Sequence, residues 1–260
     1  HPATETKPDI QTDAKLEFDH VKFGYTDDKI LMDDFSFKAM PGQKIAIVGP
    51  TGAGKTTLIN LLERFYDINA GAIRWGGKDT RKFTREDLRG HFSMVLQDTW
   101  LFTGTIYDNI KYGRENATKE DVIRAAKAAH VDAFVRQLPD GYDTVLNEEA
   151  SNISQGQRQL ITIARAFLAD PEILILDEAT SSVDTRTEVL IQQAMERLLQ
   201  ARTSFVVAHR LSTIKDADNI IVMDHGSIVE TGDHQALMAK GGFYADLYNS
   251  QFADEIAAQS

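Results

Sequence analysis

GPTGAGKTT at residues 49–57 and ILILDEATSSVD at residues 173–184 are the two stretches that decide the fold. The first matches G-x-x-x-x-G-K-[ST]. Its backbone N–H groups can wrap a triphosphate, while Lys55 reaches the β- and γ-phosphates and the Thr56 hydroxyl reaches Mg²⁺. KIAIV at 44–48 reads as a short strand before the loop. After the loop, Leu58, Leu61, Leu62 and Phe65 fall at i, i+3, i+4 and i+7 and make one apolar helix face. Strand, loop and helix thus follow in the order a phosphate site needs, with the helix N-terminus offering free N–H groups and partial positive charge. In the second stretch, the apolar run 173–176 reads as a strand buried on both faces. It delivers two carboxylates, Asp177 and Glu178, at its end, one suited to a metal and the other to a water.

Outward from these motifs, 260 residues with 42% hydrophobic side chains supply enough material for a substantial core. No apolar run approaches the roughly 18 to 20 residues that cross a bilayer, so a membrane role has to come through another segment. The net charge of -11 and the absence of a Lys/Arg cluster argue against a nucleic-acid surface. Without cysteine there are no disulfides and no thiolate metal sites. The opening HPATETKPDIQTDAK is polar, carries proline and lacks an initiator Met; residues 1–14 read as a linker from something longer, and 253–260 as a tail.

Residues 16–23 and 30–37 read as strands around a turn at Thr26, Asp27 and Asp28, forming a small β layer. From about residue 98 the pattern turns helical: Thr118 and Asp121 have the spacing of a capping box, Ser154 can cap a second helix, and Pro171 stops it before the carboxylate strand. Thr185 and Glu188 have capping-box spacing ahead of a further helix, and strands are expected at 204–208 and 219–223. Helices and strands alternate, so the fold class is α/β with a mainly parallel sheet.

With these motifs in hand, the chain resembles the nucleotide-binding domain of an ATP-binding cassette transporter, of the exporter type, over nearly all of 16–252. The resemblance adds Gln97 in MVLQDTWLF, the signature-like ISQGQRQ at 153–159, the SSVD segment ending at Asp184, and His209 in VVAHR. LFTGTIYDNIKYG at 101–113 and GGFYADLYNSQF at 241–252 resemble the exporter branch in particular. It implies a P-loop NTPase with a RecA-like core, an antiparallel β subdomain and a helical subdomain at about 98–168, the domain spanning 15–252. It also implies ATP and Mg²⁺ as cofactors: Gly49, Thr51, Gly52, Ala53, Gly54, Lys55, Thr56 and Thr57 hold the phosphates, with Thr56, Asp177 and Gln97 near the metal. Glu178 orients and deprotonates the attacking water, His209 contacts the γ-phosphate or fixes that glutamate, and Tyr25 stacks on adenine. Ser154, Gly156 and Gln157 serve ATP held by a second subunit in a head-to-tail dimer, and Asp184 at the end of the SSVD segment belongs to the nucleotide-binding residues. The implied partners are that second domain and a transmembrane domain, which places the chain at the cytoplasmic face of a membrane.

Each of these assignments has a plainer rival. A strand-end histidine such as His209 is often only hydrogen-bonded, Tyr25 at that spacing can face the core of the β layer, and Gln97 alone is an ordinary surface amide. The acidic pairs Asp27/Asp28, Asp33/Asp34 and Glu148/Glu149 read as solvated surface. A soluble cassette ATPase acting in DNA repair or translation, and a clamp that binds ATP without turnover, stand as alternatives; the acidic charge opposes the first and Glu178 the second. Two departures from the family pattern stand out. Gln155 replaces the first of two adjacent glycines in the signature, and Asn147, Glu148, Glu149 and Ala150 replace a Gly-Glu-Arg-Gly run. An intact Walker set beside an altered signature resembles one half of a heterodimeric exporter.

Overall fold

The computed structural model describes residues 6–26, 28–50, 68–84, 86–87, 90–95, 101–147, 153–178 and 183–259. Its strands, in chain order, are β1 Leu16–Thr26, β2 Lys29–Ala39, β3 Lys44–Val48, β4 Ala70–Trp75, β5 Lys78–Asp79 and β6 Phe92–Val95. They are followed by β7 Gly104–Thr105, β8 Val145–Leu146, β9 Ile173–Asp177, β10 Thr203–Val207, β11 Asn219–Asp224 and β12 Ser227–Gly232. Two compact units emerge, His1–His91 with Thr203–Ser260, and Phe92–Arg202.

The first unit contains an antiparallel sheet in the order β2-β1-β4-β5. Leu16 faces Ala39 on one side and Trp75 on the other, and Phe18 faces Phe37 and Ile73. Alternate residues therefore line one face, where Leu16, Phe18 and Ile73 are buried and Phe18 meets Phe35 edge-on at 5.4 Å. The same unit holds a parallel set in which β3 is flanked by β10 and β11, with Phe205 opposite Ile45 and Val222 opposite Val48. Ile45, Ala46 and Ile47 have no exposed surface, as an all-apolar run covered on both faces should. β12 turns back antiparallel on β11. The helices Leu211–Asp216, His234–Lys240 and Phe243–Gln251 cover this set by packing Leu211, Ile214, Leu237, Tyr244 and Tyr248 against Ala46 and Val222.

In the second unit β6 and β9 pair in parallel, Phe92 with Ile173 through Val95 with Leu176. The helix Lys119–Ala128 begins on the expected box, with the Thr118 hydroxyl accepting from Asp121 N–H and the Asp121 carboxylate accepting from Thr118 N–H. The helix Thr185–Leu199 corrects one expectation. Its N-cap is Asp184, whose carboxylate accepts from Thr187 N–H at 3.2 Å. Thr185 is already helical, so it cannot take the extended conformation a cap requires, and the aspartate one position earlier does.

The strands at 16–23, 30–37, 204–208 and 219–223 are present with ends shifted by up to a few residues, and 44–48 is unshifted. The helix expected after the phosphate loop lies outside the described residues. The stretch read as linker is hydrogen-bonded to the β4–β5 hairpin: Lys7 N–H donates to Asp79 at 2.9 Å, and Ile10 N–H to the Gly77 carbonyl at 2.9 Å. Asp33 and Asp34 are exposed as expected, Asp34 pairing with His20 at 2.6 Å.

Candidate functional site

Three strand ends carry the candidate chemistry. β3 ends at Val48, and Gly49, the first glycine of the phosphate loop, is buried directly after it. Thr51, Gly52, Ala53, Gly54, Lys55, Thr56 and Thr57 lie outside the described residues, as does Gln97. Beside β3 in the same unit, β10 runs parallel and ends at Val207; Ala208 N–H then donates to the Ile47 carbonyl at 3.0 Å. This bond holds the chain at the level of the end of β3, and His209 follows, exposed, before the helix Leu211–Asp216. Gly49 and His209 thus leave the carboxyl ends of adjacent parallel strands, the edge at which open α/β sheets bind ligands. Tyr25 belongs to β1, and its side chain lies outside the described residues.

In the second unit, Ile173, Leu174, Ile175 and Leu176 are at most 1% exposed, and the strand delivers Asp177 half-buried and Glu178 at 8% exposure. The parallel pairing of Val95 with Leu176 puts the end of β6 at the same end of the pair as the two carboxylates. A half-buried carboxylate at a strand end suits Mg²⁺, which binds few protein oxygens and keeps water or phosphate for the rest. Among the described residues there is no group of three His, Cys, Asp or Glu that could hold a metal.

Residues 153–159 build a different kind of surface. Ser154 caps the helix Gln155–Ala169; its hydroxyl accepts from Gln157 N–H at 3.1 Å, and the Gln157 amide oxygen accepts from Ser154 N–H at 3.0 Å. The reciprocal box fixes how the chain enters the helix and leaves the N–H groups of Gln155 and Gly156 in the first turn without intrahelical acceptors. Gln155 is exposed beside them, whereas Gly156 is buried against Thr187 and Val183. Asp184 lies in the same unit, and the hydrogen bonds it receives from Thr187 hold its carboxyl below the usual range. Two polar residues escaped the sequence reading, the buried Asn109 and the half-buried Arg165, which join the helices Ile106–Lys111 and Gln155–Ala169. Neither sits in a short-range pattern, so no local signal marks them.

The family model described as ABC transporter matches residues 32–181. The chain is 56% identical over 241 residues to a fatty acid ABC transporter ATP-binding/permease protein of Mycobacterium bovis, covering 92% of this chain and 38% of that protein. It is 50% identical over 254 residues to an ATP-dependent lipid A-core flippase of Desulfotalea psychrophila, covering 96% and 44%. Among solved structures, a bacterial Atm1-family ABC exporter with ATP bound superimposes with a TM-score of 0.80 at 41% identity, over 96% of this chain and 44% of that one. The chain spans about two fifths of the length of such relatives. No described helix is long and apolar enough to cross a membrane.

Proposed function

The chain belongs to the ABC transporter family, and from that premise we propose that it binds and hydrolyses ATP to power export across a membrane, as one nucleotide-binding domain of a dimeric exporter. The observation that carries the reading is β9: a strand buried on both faces that ends in a half-buried Asp177 and a nearly buried Glu178. A carboxylate with so little water around it binds and orients a single attacking water better than one in bulk solvent.

Phosphoryl transfer needs positioning and charge compensation more than covalent help. Lys55 and the backbone from Gly49 to Thr57 hold the triphosphate. Thr56 and Asp177 would hold Mg²⁺, with Gln97 also serving the ion, and a bound ion would neutralise charge on the phosphate oxygens. Glu178 takes the proton of the attacking water, and His209 steadies the γ-phosphate side of the site. Tyr25 stacks on the base. The open first-turn N–H groups of Gln155 and Gly156, with Ser154 and Gln157, close over ATP held by the opposite subunit, and Asp184 belongs to the nucleotide site.

The domain boundaries follow: residues 15–252 form the cassette, about 98–168 its helical subdomain, and the transmembrane domain belongs to the same exporter, with the cassette on the cytoplasmic face. Gln155 is exposed at the first helical turn, and on this reading its side chain stands where the lid meets a partner's phosphates. This favours pairing with a different cassette that carries an unaltered signature. The test of the ATPase reading is Glu178→Gln, which keeps the shape and removes the base. Turnover should fall about 10² to 10⁴-fold while ATP binding survives and ATP-bound dimer accumulates. Turnover near the wild-type rate would show that Glu178 is not the base.

A further inference from the structure

Buried Asn109 and half-buried Arg165 form one hydrogen-bonded cluster between residues 101–105 and the helix capped by Ser154. Asn109 has no exposed surface, and its side-chain amide is saturated. Oδ1 accepts from Phe102 N–H at 3.0 Å and from Arg165 Nη2 at 3.1 Å; Nδ2 donates to the Phe102 carbonyl at 3.1 Å and the Thr105 carbonyl at 2.9 Å. At the end of its helix, Gly113 N–H turns to the Ile110 carbonyl at 3.1 Å, and Arg165 Nε takes the Asn109 carbonyl at 2.8 Å. One guanidinium therefore caps a helix end and grips the side chain that shapes residues 102–105. Arg165 also lies over the Tyr112 ring at 5.3 Å, and the Phe102 ring meets Tyr112 edge-on at 5.6 Å. The backbones approach as closely as glycine allows, since a Cβ on Gly113 would sit 2.3 Å from the Arg165 carbonyl oxygen.

We propose that Asn109 and Arg165 are positioning residues that make the Ser154-capped helix move as one body with residues 101–105, so that this segment sets how the lid is presented to a second nucleotide-bearing subunit. The inference rests on the reading of Ser154, Gly156 and Gln157 as that lid. The lever is long. Arg165 lies about 16 Å along the helix axis from the cap, at roughly 1.5 Å per residue. A tilt of about 5° at the anchor thus moves Ser154 by about 1.4 Å, on the scale at which misplacement costs on the order of 10²-fold in rate. Apolar packing alone would tolerate such a tilt; a forked guanidinium bonded to both a carbonyl and an amide does not.

The experiment uses Arg165→Lys, which keeps the charge and most of the bulk, and Asn109→Ala. ATPase activity is measured for each variant alone and mixed with an excess of a Glu178→Gln chain that also carries Gln155→Gly, which has no base but an uncrowded lid helix. Alone, each variant should lose on the order of 10 to 10²-fold in kcat with KM for ATP held within about twofold, because its own phosphate site is untouched. Mixing should restore most of the loss, since the variant's own Lys55, Asp177 and Glu178 are then covered by a sound lid. A misfolded variant would not be restored, and Arg165→Lys remains informative if Asn109→Ala does not fold. Wild type, diluted until its rate per chain falls, is mixed with the same excess in parallel. If the Glu178→Gln chain raises the wild-type rate but not that of a variant whose KM for ATP is still that of wild type, the positioning role is wrong and the lid reading stands. If it does not raise the wild-type rate either, the lid reading fails and takes the positioning role with it.

Discussion

Gly156 lies so close to Thr187 that a Cβ placed on it would sit 2.4 Å from the Thr187 Cγ2 and 3.0 Å from the Val183 Cγ1. The first turn of the Ser154-capped helix is thereby pressed onto the start of the helix capped by Asp184. Gly156→Ala forces these two helix starts apart and should cost about 1 to 3 kcal/mol of stability by overpacking. Thr187→Ser removes the offending methyl, so the double variant should recover most of that loss in denaturant unfolding. Equal destabilisation of the single and double variants would show that the contact does not set the spacing.

Asp79 makes stability depend on pH. Burial pushes its carboxyl up, but the Arg81 guanidinium and the N–H groups of Lys7 and Arg81 outweigh that and hold it below the ordinary value. Arg81 grips both carboxylate oxygens, at 3.0 and 2.7 Å. For a group depressed in the folded state, the contribution is complete above the unfolded pKa of about 3.9 and disappears as pH falls through the folded value. Asp79→Asn should therefore be clearly less stable than wild type near pH 7, with the gap closing below about pH 4. A gap that stays constant from neutral to acid pH would rule out the ion pair as its source.

Lys55→Ala and Tyr25→Ala should separate phosphate binding from base stacking. Losing the phosphate cation abolishes productive ATP binding. Losing the stack mainly raises KM, by an amount that corresponds to about 1 kcal/mol. Both are read from ATPase rate against ATP concentration, and equal losses at saturating ATP would contradict the division of roles.

Gln155→Gly should increase the ATPase rate of this chain on its own, as should mixing wild type with a cassette that has both signature glycines. In each case the site built on Lys55, Asp177 and Glu178 gains a less crowded lid. The measurement is rate against protein concentration. A strongly active wild type whose rate Gln155→Gly leaves unchanged would favour a homodimer.

What the sequence determined by itself is local. The phosphate loop, the strand ending in Asp177 and Glu178, and the caps at Thr118 and Ser154 are legible because each rests on chemistry within a few residues: a glycine pattern, an apolar run, a hydrogen bond from one position to the third beyond it. Even there the helix start at 185 was misplaced by one residue. Asp184 and Thr185 both carry a side-chain oxygen, and only the backbone conformation decides which of them caps. β4 and β12 went unread because Arg74 and Glu230, each 8% exposed or less, interrupt the apolar pattern of buried strands.

The tertiary structure alone decided the pairs that are distant in sequence. Asn109 meets Arg165 across 56 positions, and Lys7 meets Asp79 across 72. A buried amide or carboxylate must find partners wherever the fold brings donors, and no spacing rule connects such partners. The same holds for Gly156, which reads in sequence as a signature glycine. Its second role, letting two helices touch at Thr187, exists only because the chain returns there.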